Sequence, residues 1–367
     1  MSGDRGSPQE DRYLRLACRL ARKAAGRTSP NPMVGAVLVR SGKIVGTGYH
    51  HYAGGPHAEI NALKQAGAKA EGATLYITLE PCSHQGRTPP CTRALIAAGI
   101  REVVAAMRDP NPLVAGRGFQ QLRRAGIKVR SGLCQEESAQ LIEAFAKFIT
   151  QRRPWVTLKL AATLDGKIAT ASGDARWISG ARSRARVHRW RNEVDAVLVG
   201  AGTVRADDPL LTCRVAGGRN PYRVVLDSRL RISPSAMLLR LPDADKTIIA
   251  TTHRAPLSKV RALEKLGVVV WRLASRNDRV AWLPLLRKLA GLGVVSLLIE
   301  GGAEVAASAL KTKVVDKLEL FYAPKLVGGD GRAMIGPLGV GKMAQALALQ
   351  GFDLRRSGED LWLSGYL

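Results

Sequence analysis

The sequence predicts an α/β protein of two domains, and three observations carry that reading. Short runs rich in β-branched residues alternate with helical stretches along all 367 residues, a pattern that favours wound α/β sheets. The length exceeds that of one average domain. Near Arg153-Pro154 the alternation starts afresh, with no repeat or low-complexity linker, which divides the chain into residues 1–152 and 153–367.

Each element follows from local chemistry. DRYLRLACRLARKAAG spaces its apolar residues helically and stops at Gly26. TSPNP (Thr28 to Pro32) is turn chemistry, and VGAVLV and KIVGTGY pair as strands across the Ser41-Gly42 turn. HAEINALKQAG is a helix and ATLYITLE a buried strand, so Cys82 lies just past a strand's C-terminal end. Pro89 and Pro90 precede CTRALIAAG, placing Cys91 at a helix start, where proline fits best. EVVAAMRD and KVRSGL continue the alternation. In the second half WVTLKLAATL, AVLVGAGTV, YRVVLD, TIIATT, VVVWRL, VSLLIE and LELFYAPKLV read as strands. SRARVHRWRNEV, WLPLLRKLAG and AEVAASALK read as helices, and GFDLRRSGEDLWLSGYL closes as a hairpin.

Composition narrows the function. With 46% hydrophobic residues the chain can bury real cores, yet it has no apolar run long enough for a membrane-spanning helix. The opening MSGDRGSPQE lacks the apolar core of a secretory signal, so a cytoplasmic protein is expected. Five cysteines (Cys18, Cys82, Cys91, Cys134, Cys213), odd in number and widely spaced, argue against a disulfide framework. The net charge of +26 suits nucleic acid, small anionic substrates or merely a basic proteome. Basic residues occur along the whole chain, in clusters such as Arg182 to Arg191. Only 5% of residues are aromatic and no zinc-finger or RNA-binding consensus is present, which disfavours nucleic acid as the primary partner.

LEPCSHQGRTPPC holds Cys82 and Cys91 eight residues apart, whereas the familiar nucleobase-deaminase signature separates its cysteines by two. His57 with Cys82 and Cys91 supplies the three ligands of a catalytic zinc (Zn2+), leaving a fourth position for water. Glu59, two residues after the histidine, can shuttle protons between that water, a ring nitrogen and departing ammonia. Incidental buried thiols are the plain alternative. A structural zinc would need a fourth ligand, for which His84 is the only obvious neighbour.

At this point the residues resemble a known family. PNPMVGAV, GGPHAEINAL, TLEPCSHQGRTPPC and DPNPLVAGRGFQQLRRAGI are similar to the deaminase half of the bifunctional riboflavin-biosynthesis deaminase/reductases. LKLAATLDGKIA, GDARWISG, GAGTVRADDPLLTCR, VVLDS and LLIEGGAEVA are similar to the reductase half, so the resemblance spans nearly the whole chain. It implies an N-terminal cytidine-deaminase-like three-layer domain and a C-terminal dihydrofolate-reductase-like α/β domain. It also implies hydrolytic deamination of a diaminopyrimidinone ribosyl phosphate, then NADPH reduction of the ribosyl group to ribityl, in a homodimer or tetramer formed through the carboxy domain.

Residue by residue, the resemblance gives zinc to His57, Cys82 and Cys91, with Glu59 as proton shuttle. Asn31 and His84 would contact the pyrimidine or the ribose phosphate, and Arg87 would stand on the same loop as His84 as a further donor. In the second half Lys159 would be catalytic. Ala161, Trp177, Thr203, Asp207, Ser228, Gly301 and Gly302 would line the NADPH site. Ala175, Arg191, Leu211, Arg214 and Glu300 would hold the substrate. The chemistry agrees: Arg191 and Arg214 can grip a phosphate bidentately, and glycines at a strand-to-helix junction let a phosphate reach backbone amides. No G-x-G-x-x-G stands at any such junction, which disfavours a Rossmann domain. NADPH rather than NADH rests on the resemblance alone. One departure is Ala175-Arg176-Trp177-Ile178, where the family has Ser-x-Trp-Ile. Two other readings exist: a zinc deaminase of bases in nucleic acid, with the basic second half as a clamp, and a non-enzymatic zinc-stabilised binding protein. The first suffers from the reductase-like motifs and the scarcity of stacking aromatics.

Overall fold

The structure, a computed structural model, describes residues 7–84 and 89–367. The chain divides into two compact units, Met1–Arg152 and Arg153–Leu367.

The first unit contains α1 (Pro8–Arg22), β1 (Gly35–Arg40), β2 (Lys43–Tyr49), α2 (Ala58–Ala66), β3 (Thr74–Ile77), α3 (Cys91–Ala97), β4 (Glu102–Ala105), α4 (Arg117–Arg124), β5 (Lys128–Ser131), α5 (Gln135–Leu141) and α6 (Glu143–Gln151). Its sheet has the order β2-β1-β3-β4-β5, with β1 antiparallel to both neighbours and the rest parallel. On one face Leu14 and Ala17 of α1 pack against Val37, Tyr76 and Val104. On the other, Ala62 of α2, Leu95 of α3 and Leu122 of α4 pack against Leu38, Leu75 and Val103. Helix, sheet and helix thus form three layers. α1 starts at Pro8, before the expected Asp11, because Ser7 and Glu10 form a capping box ahead of a proline at the first turn. It ends at Arg22, short of Gly26, which turns the chain at φ 77°.

The second unit contains β6 (Trp155–Thr163), β7 (Lys167–Ala169), α7 (Ala181–Glu193), β8 (Ala196–Gly200), α8 (Ala201–Asp207), β9 (Tyr222–Leu226), β10 (Thr247–Thr252), α9 (Leu257–Glu264), β11 (Val269–Leu273), β12 (Ser275–Arg276), β13 (Arg279–Val280), α10 (Trp282–Gly291), β14 (Ser296–Ile299), α11 (Ala303–Lys311), β15 (Lys317–Ala323), β16 (Arg332–Ala333), β17 (Gln350–Ser357) and β18 (Asp360–Tyr366). Nine strands form one sheet in the order β11-β10-β9-β8-β14-β6-β15-β18-β17. The run from β11 to β15 is parallel, and β18 and β17 close it antiparallel. Val260 of α9 and Val204 of α8 cover one face with Val197, Val225 and Ile249. Leu285 of α10 and Leu310 of α11 cover the other with Leu198, Val224 and Ile248.

Several expected strands are shorter than their apolar runs. AVLVGAGTV, read as one strand, leaves the sheet at Gly200, and Ala201 opens a helix whose Ala201 and Val204 are buried. Packing here overrides the β-propensity of Thr203 and Val204. LELFYAPKLV ends at Ala323, because Pro324 has no N–H for the ladder. ATLYITLE and EVVAAMRD stop at Ile77 and Ala105, so their polar ends become the loops that carry the site. Among the described residues no helix is long and apolar enough to cross a membrane.

A missing side chain fixes where α2 sits. A Cβ on Gly48 of β2 would lie 2.3 Å from the Ala58 carbonyl oxygen and 2.5 Å from the Ala62 nitrogen. Backbone cannot yield as a flexible side chain can, so Gly48→Ala is expected to cost about 1–3 kcal/mol or more. A urea midpoint unchanged from wild type would show that α2 does not depend on this contact.

Candidate metal centre and reductase edge

His57 is the N-cap of α2 in extended conformation, Cys82 lies in the loop after β3, and Cys91 is the first residue of α3. The His57 Nδ1 is 3.6 Å from Cys82 Sγ and 3.2 Å from Cys91 Sγ. The Cys91 backbone N–H donates to Cys82 Sγ at 3.4 Å. All three donor atoms lie within 4.8 Å of one another, and among the described residues no fourth His, Cys, Asp or Glu joins them. Tetrahedral zinc with ordinary Zn–S and Zn–N bonds sets its donors roughly 3.5 Å apart, so this trio fits the ion with one position open. The hydrogen bond from Cys91, helped by His57, draws the Cys82 thiol well below its usual range; the same bond pushes Cys91 up. Two thiols and an imidazole this close together suit a cation in place of their protons.

Glu59 sits in the first turn of α2, 3% exposed, and burial pushes its carboxyl up to about 7. A cavity of about 340 Å³ opens beside it, lined by Asn31, His57, Glu59, Cys82 and His84, with Phe145, Phe148 and Ile149 of α6 among its other walls. His84 is exposed and is not part of the ligand trio, which leaves a structural four-ligand zinc without its candidate fourth ligand. Arg87 lies outside the described residues.

Sequence reasoning missed three supports of this site. His50 is buried, with Nε2 3.2 Å from the Asn31 amide nitrogen and Nδ1 3.1 Å from the Pro56 carbonyl oxygen, so it orients Asn31. Its position beside His51 gave no reason to prefer one histidine over the other. Asp109 lines the cavity with its carboxyl pushed up to about 6 by burial. Glu80, the acid of Glu-Pro-Cys, accepts the backbone N–H groups of Asp109, Gly116, Gly118 and Phe119 at 2.9–3.2 Å.

In the second unit the expected residues gather at the carboxyl ends of neighbouring parallel strands, where open α/β sheets bind ligands. Gly301 and Gly302 follow β14, Thr203 follows β8 on α8, and Ser228 follows β9. Gly301 and Gly302 take φ 91° and 83°, conformations that favour glycine. A Cβ on Gly302 would stand 3.2 Å from Thr203 Oγ1, and α11 starts at the next residue. A dinucleotide phosphate fits this side-chain-free approach to a helix N-terminus. Ala161 lies on β6 opposite Phe321. Trp177 is 65% exposed with the Arg184 guanidinium 4.7 Å from its ring, and its carbonyl accepts from Lys325 Nζ at 2.7 Å. Ala175, half-buried, precedes it, and exposed Asp207 ends α8 with its carbonyl accepting from Arg176 at 3.4 Å.

Two expectations need correction. Arg191 does not offer its fork to a phosphate: its Nε and Nη2 meet the two Glu300 oxygens at 2.6 and 2.7 Å, and Nη1 donates to the Thr212 carbonyl at 3.2 Å. A buried carboxylate needs such a partner. Burial raises the Glu300 carboxyl, but Arg191 outweighs it and holds the group below its usual range. The Leu211 side chain is 2% exposed in the core, at φ 56°, so any contact with substrate there comes from backbone. Arg214 is exposed. Burial lowers the Lys159 ammonium below the ordinary lysine value, beside Glu300 and with Nζ 6.0 Å from the Phe321 ring centre.

Comparison with known proteins agrees with both units. The cytidine and deoxycytidylate deaminase zinc-binding region matches residues 7–107, and the RibD C-terminal domain matches residues 154–363. The riboflavin biosynthesis protein RibD of Aquifex aeolicus is 47% identical over 350 residues, 95% of this chain and 96% of that one. The Escherichia coli K12 protein of the same name is 40% identical over 368 residues, 97% and 98% of the two chains. Acinetobacter baumannii RibD superposes with a TM-score of 0.87 at 38% identity, covering 98% of each chain. A Thermotoga maritima diaminohydroxyphosphoribosylaminopyrimidine deaminase/5-amino-6-(5-phosphoribosylamino)uracil reductase gives 0.85 at 38% identity, again over 98% of each. The first unit thus has the cytidine-deaminase-like three-layer fold, and the second is a RibD reductase domain. On this identity and coverage the chain belongs to the RibD family of bifunctional riboflavin-biosynthesis deaminase/reductases.

Proposed function

We propose that residues 1–152 deaminate a diaminopyrimidinone ribosyl phosphate and residues 153–367 then reduce its ribosyl group to ribityl. The enzyme is a zinc-dependent deaminase and an NADPH-dependent reductase of riboflavin biosynthesis. The observation that carries the residue assignment is the meeting of His57, Cys82 and Cys91 beside buried Glu59. The reductase domain removes the reason for a nucleic-acid clamp.

In the first step His57, Cys82 and Cys91 hold zinc, which, when bound, acidifies a water for attack on the amino-bearing ring carbon. Glu59 takes one proton from that water and passes it to the ring nitrogen as the C–O bond forms; it then takes the second proton from the added hydroxyl and gives it to the amino group, which leaves as ammonia as the C–N bond breaks. Asn31, held by His50, with His84 and Arg87, binds the ring and the ribose phosphate. In the second step Gly301, Gly302, Thr203 and Ser228 would hold NADPH, which would supply the hydride for the open-chain form of the sugar. Lys159 supplies positive charge or a proton to the reacting centre, Glu300 clamped by Arg191 orients the substrate, and Arg214 faces its phosphate. Ala175, two residues before Trp177, offers the substrate no hydroxyl.

The chain is further read as a cytoplasmic homo-oligomer. Cysteine ligands persist in a reducing compartment, which supports the first part. Strand β17 supports the second: it ends the nine-stranded sheet, and its Phe352 and Leu354 are 67% and 56% exposed. Asp353 and Arg355 form an ion pair on the opposite face of that strand. Antiparallel pairing of two copies about Leu354 sets Asp353 against Arg355 twice, a self-complementary contact suited to a two-fold axis.

Glu59→Gln is expected to retain stoichiometric zinc while ammonia release falls about 10²–10⁴-fold; loss of the metal would make Glu59 a ligand and end this mechanism. For reduction, the protonated Lys159 is the working form and burial lowers its pKa. The basic limb of reductase kcat/KM is therefore expected below the ordinary lysine value of about 10.4 and should vanish in Lys159→Met. A limb that persists in that variant belongs to another group. Leu354→Glu is expected to halve the mass measured by light scattering, and a monomeric wild type would remove the interface.

A further inference from the structure

We propose that Arg254 distinguishes NADPH from NADH by pairing with the cofactor's 2′-phosphate at the carboxyl ends of β9 and β10. The inference rests on reading Gly301, Gly302, Thr203 and Ser228 as one cofactor edge. Those residues follow β14, β8 and β9, successive neighbours in the sheet, and the next strand outward is β10. A dinucleotide whose nicotinamide lies near Lys159 on β6 therefore carries its adenosine ribose toward the ends of β9 and β10.

The backbone there is tied into one cradle. The Ser228 carbonyl accepts the Thr252 N–H at 3.4 Å and the Thr252 hydroxyl at 2.8 Å. The Arg254 N–H donates to Thr252 Oγ1 at 3.3 Å, and the Val280 N–H donates to Ser228 Oγ at 3.2 Å. The β12–β13 hairpin is thus pinned to Ser228, and its turn residue Asp278 meets the Arg254 guanidinium at 2.6 Å. Both side chains are half exposed or more, 60% and 52%. Such a solvated pair contributes little, so a phosphate dianion that offers two oxygens to the guanidinium displaces the carboxylate readily.

Doubly wound sites of the Rossmann type, a different fold on a comparable parallel sheet, set a carboxylate after a neighbouring strand to receive the ribose hydroxyls of NADH. Asp227 occupies such a place but faces inward: it is 2% exposed and its Oδ2 accepts the Ile232 N–H at 2.7 Å. Exposed Arg229 and Arg231 follow it and add positive potential.

Calorimetric titration of the full-length protein with NADPH, NADH, adenosine 2′,5′-bisphosphate and 5′-AMP tests this. Arg254→Gln should weaken NADPH and the bisphosphate roughly tenfold to a hundredfold, the loss of a charged hydrogen-bond pair. NADH and 5′-AMP should stay within about twofold, since an exposed side chain contributes little else. Asp278→Asn should leave NADPH binding unchanged or tighter. Equal weakening of both cofactors, or of neither, overturns the role of Arg254 while the edge stands. A wild type that binds neither cofactor overturns the edge itself.

Discussion

Two sulfurs and an imidazole nitrogen held within 4.8 Å of one another form an arrangement that the polypeptide does not favour by itself. The rest of the N-terminal domain is arranged to impose it. α2 reaches the site because β2 presents glycine to its backbone, and α3 reaches it because Pro89-Pro90 starts the helix at Cys91. α1 and α2 clamp the same sheet from opposite faces, so the segments that bring the ligands are fixed by apolar packing at a distance from the polar site. A buried Glu59 belongs to that scheme: the burial that rigidifies α2 also brings its carboxyl to about 7.

The reductase domain solves a different problem with the same means. A parallel sheet delivers the ends of β6, β8, β9 and β14 to one edge, and chemistry is added in the loops that follow. Burying Lys159 lowers its affinity for a proton, while the Arg191–Glu300 pair keeps a compensated carboxylate nearby. The pair costs desolvation, so orientation rather than stability is the better account of its position.

Much of this was legible in the residues. The ligands could be named from His-x-Glu at a helix start and two cysteines at an element end and an element start, since those positions follow from local rules. The alternation of strands and helices gave the α/β class for the same reason. What stayed hidden depends on contacts distant in sequence. Nothing near Arg191 announces that Glu300, 109 residues away, takes its fork. Nor does the histidine pair at His50-His51 say which ring turns inward to hold Asn31. Thr203 and Val204 misled because β-propensity is a local quantity, whereas the chain leaves the sheet at Gly200 for reasons of packing. The position of Leu211 in a motif likewise says nothing about a side chain that serves the core.

Glu80 and Cys82 are separated only by Pro81, yet they face different neighbours. One carboxylate gathers four amides from the turn at Asp109 and the start of α4, while the thiol two residues on faces the ligand trio. A proline joins the pair, so the loop that carries the ligand sulfur and the amides beside the Asp109 wall are held by one short, rigid run of chain.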